Sequence, residues 1–191
     1  MKKKNESAAI TEAVQLEIVS ALITKGDVAR AVSHSISQAL ATMIGSAGNT
    51  GAAVTNSIAS ASWGAIRAAI QSGCDLAPAA QGMVVGVLRG TRLIGSEAVN
   101  AIISTAGIAI KGAAESGGNI ESTATGLVRG AIQGANEMGI NVEDAASAAA
   151  LGALNAVGDV RSTGYRTILA AVTKPIDGVT VAPREPAVSS N

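Results

Sequence analysis

Large apolar residues return every 22 positions along this chain. One ladder reads Leu22, Ile44, Ile66, Leu88, Ile110, Ile132, Leu154 and Ile176. Three more ladders lie four, eight and twelve residues earlier, starting at Ile18, Val14 and Ile10. The ladder through Ile18 has one small polar rung, Ser62, and the ladder through Ile10 breaks at Gly164. Positions i, i+4, i+8 and i+12 make one slowly drifting stripe on an α-helix, whereas a strand would alternate with period two. The pattern therefore predicts an all-α protein.

Glycine marks the joints. Gly51, Gly73, Gly95, Gly117 and Gly139 fall on the same grid, with Asp75, Ser96, Asn119 and Asn141 just after them. Gly26-Asp27 and Gly158-Asp159 are shifted versions of that joint. A glycine that ends one helix, followed by an Asx or Ser cap that starts the next, predicts consecutive helices with tight turns. The predicted spans are about 7–24, 27–46, 52–72, 75–94, 97–116, 120–138, 142–157 and 162–173. Pro78 falls in a first turn, where proline is tolerated. Short turns make neighbours antiparallel. Gly82, Gly86, Gly90 and Gly95 match Gly126, Gly130, Gly134 and Gly139 at a spacing of 44, so the expected unit is a 44-residue helical hairpin. The expectation is an array of about eight short antiparallel helices over residues 7–173, solenoid-like or a layered bundle. Residues 1–6 are read as a disordered N-terminus and 174–191, with Pro175, Pro183 and Pro186, as an extended or disordered tail. An 11-residue period could instead give long supercoiled helices. The recurrent glycines speak against that, each costing about 1 kcal/mol inside a helix.

The opposite face of each helix is patterned too. One column runs Gln38, Ser60, Gly82, Ser104, Gly126, Ala148, the next Thr42, Gly64, Gly86, Ile108, Gly130, Gly152, and a third Ser46, Ala68, Gly90, Gly112, Gly134, Ala156. At about 100° per residue these lie roughly 160° from the large apolar stripe. Each helix thus has one face of Ile, Leu and Val and one of Gly, Ala and Ser. Such small faces permit close crossings, as in membrane glycine zippers, but Arg89, Arg92 and Arg129 beside them favour packing in water. The small faces could pack within the chain or stay open and bury on self-association.

Composition narrows the functional classes. The 14 basic and 14 acidic residues cancel, which gives no bulk electrostatic reason to bind nucleic acid or an anionic membrane. Trp63 and Tyr165 are the only aromatics, and much of the apolar content is alanine. Cys74 is the sole cysteine, so no intramolecular disulfide is implied. Lys2-Lys3-Lys4 resembles the start of a signal peptide, but Glu12 and Glu17 interrupt the apolar stretch that would complete one. The uncharged run 98–110 is too short to span a bilayer. A soluble cytoplasmic protein without a transmembrane segment is expected.

Candidate chemistry is sparse. His34, flanked by Ser33 and Ser35, has neighbours that point away from it on a helix, where a triad needs convergence. Cys74 sits at a helix start, which lowers a thiol pKa, but Asp75 opposes that effect. Glu143-Asp144 complements a helix dipole and needs no metal. No phosphate-loop motif is present. Arg67, Arg89 and Lys111 share one repeat position, followed by Gln133 and Asn155, and could line up as a basic row. Gly82, Gly86, Gly90, Gly126, Gly130 and Gly134, with Arg67, Arg89 and Lys111, form the candidate interaction surface. No catalytic residue, metal or cofactor is expected.

These readings favour a non-enzymatic structural or interaction protein that self-associates through its Gly/Ala faces as a homo-oligomer or binds a protein partner. The 22-residue helical period is similar to that of exchangeable apolipoproteins, and the Ala-rich, Cys-poor composition resembles that of bacterial storage-granule coat proteins. That resemblance, of period and composition only, implies peripheral association with a lipid or granule surface as the alternative. Proline punctuation, a charge-rich polar face and interfacial aromatics are missing. An enzyme is the third and least favoured class.

Overall fold

A computed structural model describes residues 11–13, 15–17, 19, 27–47, 51–159 and 161–181. The described chain is all-helical. Residues 11–13, 15–17 and 19 are helical and fall within the first predicted helix; the expected disordered residues 1–6 lie outside the described set. Then come α1 (Val28–Ala47), α2 (Gly51–Gln71), α3 (Leu76–Thr91), α4 (Gly95–Glu115), α5 (Ile120–Met138), α6 (Val142–Val157) and α7 (Thr163–Val172).

Local chemistry sets these boundaries. Asp75, Asn119 and Asn141 each accept a hydrogen bond from a first-turn N–H, of Ala77, Ser122 and Asp144 respectively. Asp27 accepts from the Arg30 N–H and Ser162 from the Tyr165 N–H. Each satisfies a donor that the helix leaves orphaned. Gly139 closes α5 in the left-handed region at φ 68°. Two joints depart from expectation. Gly51 and Gly95 open the next helix instead of following the previous one. At the second of these, Arg92 ends α3 at φ 54°, and α4 starts after Ile94 with no side-chain cap, so Ser96 is not the N-cap.

The apolar ladders point inward. Leu40, Val84, Ala106, Val128, Ala150 and Val172 are fully buried, as are Ile36, Ala80, Ile102, Ala124, Ala146 and Ile168. Ser62 is buried with them, and its hydroxyl has no hydrogen-bond partner among the described residues. Buried residues from α1 through α7 join in one core.

Contacts sort the helices into two rows. α1, α3, α5 and α7 pack successively in one, and α2, α4 and α6 in the other. Within a row the helices run parallel: Gly82, Gly86 and Gly90 of α3 meet Ala29, Ser33 and Ser37 of α1 in ascending order. Gly126, Gly130 and Gly134 of α5 meet Ala77, Gln81 and Leu88 of α3 in the same sense. A Cβ on Gly130 would stand 2.5 Å from the Gln81 carbonyl oxygen, and one on Gly126 would come still closer to the Ala77 carbonyl. These crossings require glycine because backbone sits where a side chain would go.

Within the segment read as an extended or disordered tail, the described residues 174–181 hold a tight turn. Ile176 and Val179 exchange backbone hydrogen bonds of 2.9 Å around Asp177-Gly178, whose φ angles are 48° and 82°. Two positive φ values in a two-residue loop make the tight hairpin turn that Asp-Gly favours. Ile176 and Val181 are buried in the common core. Residues 182–191 lie outside the described set.

Candidate functional site

The six glycines expected on an interaction surface are packing residues inside the chain. Five are buried and Gly90 is half-buried, each against the preceding helix of its row. The small-residue stripe is used internally because only Gly lets backbones approach this closely, so it is not an open face in the folded chain. The basic row is also divided. Arg67 and Lys111 are exposed on α2 and α4, whereas Arg89 lies on α3 in the other row. Successive 22-residue positions alternate between rows, so residues aligned in sequence are separated in space. Arg67 lies over the Trp63 ring, 5.9 Å from its centroid, a cation–π geometry.

What the fold brings together is a polar network across the outer side of α1, α3 and α5. Arg89 grips Glu137 through Nε and Nη2 at 2.7 and 2.8 Å, and its Nη1 donates to Ser33 Oγ at 3.3 Å. Gln133 donates to Glu137 at 3.0 Å and accepts from Gln81 at 2.8 Å. The Arg89 guanidinium, helped by Gln133, holds the Glu137 carboxyl below the usual carboxylate range against the opposing effect of partial burial. Beside the network lies a groove of about 490 Å³ bordered by Asp27, Arg30, Gln81 and Arg89. Asp27 and Arg30 are themselves paired at 3.4 Å. A cation already matched by a carboxylate has little left for an external anion.

The Arg89–Glu137 pair gives a pH signature. A depressed carboxyl pKa contributes stability above its unfolded value, and that contribution disappears as pH falls through the lower folded value. Glu137→Gln is therefore expected to cost under about 1 kcal/mol at pH 7, since the pair is partly exposed. The difference from wild type should vanish once acid has protonated Glu137 in both states. Urea midpoints measured across the acid range check this; a pH-independent difference would exclude the ion pair as its source.

The second cavity, of about 480 Å³, opens at the end of the molecule where α1 and α3 finish and α2 and α4 begin. Ile44, Val54, Ile58 and Leu93 give it apolar walls, and Thr55, Asn100, Ser104, Arg92 and Glu97 a polar rim. The repeat pattern marks neither Arg92 nor Glu97 as a site residue. The one signal for Arg92 is its place, three residues before Gly95 at a joint of the repeat grid.

The remaining candidates stay apart. His34 is exposed on α1, while its neighbours Ser33 and Ser35 are buried on another side of the helix. The Cys74 thiol donates to the Ser72 carbonyl at 3.9 Å. Among the described residues no group of three His, Cys, Asp or Glu is placed to hold a metal, and no helix is long and apolar enough to cross a membrane.

No family model, curated protein or solved structure matches this chain.

Proposed function

We propose that the chain is a non-enzymatic interaction scaffold, a short solenoid of 44-residue helical hairpins that presents its outer surfaces to protein partners, a second copy included. The observation that carries this reading is the exposed face of the first described helices. In α3 and α5 the columns beginning at Gly82 and Gly126 pack on the helix ahead. The same positions at the N-terminal end are Leu16 and Gln38, both exposed, with Leu16 showing 66% of its surface. Ala13, Ala41 and Thr42 are exposed beside them. Repeat arrays leave such terminal faces, which must be capped or covered.

Self-association at this end differs from the internal crossing. Gln38 and Thr42 stand where α3 has Gly82 and Gly86, so two copies meet through side chains rather than backbone to backbone. Leu16 and Ile94 are the large hydrophobics left exposed among the described residues, and they lie at separate places in the fold. Two isolated residues do not make the broad apolar stripe that a lipid or granule surface requires, which favours protein contact.

Size-exclusion chromatography with light scattering, across micromolar concentrations, tests this. The full chain is expected to associate, and Leu16→Lys to shift it to monomer. A wild-type monomer at every concentration removes the self-association part; association unaffected by Leu16→Lys places the interface elsewhere.

A further inference from the structure

The helices that border the cavity at the α1–α4 end carry one irregularity in the small-residue column. The rear column of α6 carries Gly152 in its middle, which lets α6 approach the backbone of Ile103 and the side chain of Ala106 on α4. The equivalent position on α4 is Ile108. It lies between Gly112, which meets the Ile66 side chain of α2, and Ser104, which lines the cavity. Ile108 thus interrupts an otherwise small-residue column, one turn from Ser104 at the cavity. Rule-breaking of this kind is expected at functional positions.

We propose that this cavity binds a free apolar α-amino acid. Its volume of about 480 Å³ lies in the range of small-molecule sites, roughly 300–1,000 Å³. Ile44, Val54, Ile58 and Leu93 supply an apolar wall for a branched aliphatic side chain. The rim holds one cation, Arg92, and one anion, Glu97, and neither belongs to an ion pair formed among the described residues. A zwitterion satisfies both: its carboxylate pairs with the Arg92 guanidinium and its ammonium with the Glu97 carboxylate. A fatty acid or phosphate ester would leave its negative charge facing Glu97, and a simple amine would face Arg92. Charge complementarity thus selects a ligand carrying both signs.

Calorimetric titration of the full chain with L-leucine tests the proposal, alongside N-acetyl-leucine, leucinamide and octanoate. Saturable binding of leucine is expected, weakened about tenfold or more by removing either charged group of the ligand. Arg92→Gly is the decisive variant. Arg92 sits at a positive φ that glycine adopts freely, so the substitution removes the guanidinium without penalising the turn. It should lose leucine binding by a similar factor while its thermal midpoint does not fall. No saturable heat with leucine up to about 10 mM overturns the proposal, as does undiminished binding to Arg92→Gly or octanoate binding as tight as that of leucine.

Discussion

Gly126→Ala is expected to destabilise the fold by about 3 kcal/mol, although alanine is the better helix former by about 1 kcal/mol. The Ala77 backbone of α3 occupies the place of the new methyl group. A carbonyl held in a helix cannot swing aside like the end of a side chain, so α5 must move off α3 as a body and loosen the contacts along their crossing. The control is Gly45→Ala, in α1, where a Cβ would meet nothing within 4 Å. There propensity acts alone, and stability should rise by about 0.5–1 kcal/mol. Urea unfolding at unchanged slope reads both differences. The opposite signs carry the argument, because a propensity effect would move both variants the same way. A Gly126→Ala chain as stable as wild type would mean that α3 and α5 do not approach this closely.

Much of this architecture is legible in the sequence because burial in a helical protein leaves a strict period. The ladders through Ile18 and Val14 name residues that are buried throughout the described chain, down to the polar rung at Ser62. Asp75, Asn119 and Asn141 are readable as caps because their chemistry is local: a short side-chain acceptor reaches an N–H two or three residues on. What a stripe of Gly, Ala and Ser cannot reveal is what lies against it. Its period is the same whether the partner is the preceding helix or another molecule, and only the fold shows Ala29 and Ala77 beside Gly82 and Gly126. The basic row fails for a similar reason, since sequence alignment of Arg67, Arg89 and Lys111 ignores the alternation of rows. The cavity leaves no period of its own, because its lining comes from the ends of four helices that only the fold brings together.

Ile176→Ala is expected to cost about 2–4 kcal/mol, a core-sized effect from a residue beyond the last helix. The segment's prolines make it look loose, and they distract from the Asp-Gly pair between Ile176 and Val179, which signals a tight turn. That turn packs beside α5. α7 has 10 residues where α5 has 19, so among the described residues it flanks only part of the length of α5. Arg129 of α5 reaches Asp177 at 3.2 Å, at the same sequence separation of 48 by which Arg89 of α3 reaches Glu137 of α5. The hairpin thus stands where the next turns of a longer helix would, with Ile176 only 5% exposed beneath it. The ion pair and the apolar anchor can be separated by magnitude. Arg129 and Asp177 are each more than two-fifths exposed, and pairs in that setting contribute little. Asp177→Asn should therefore change stability by no more than about 0.5 kcal/mol, several times less than Ile176→Ala. Equal effects would mean that charge pins the hairpin; a negligible effect of Ile176→Ala would mean that the segment does not cap the core.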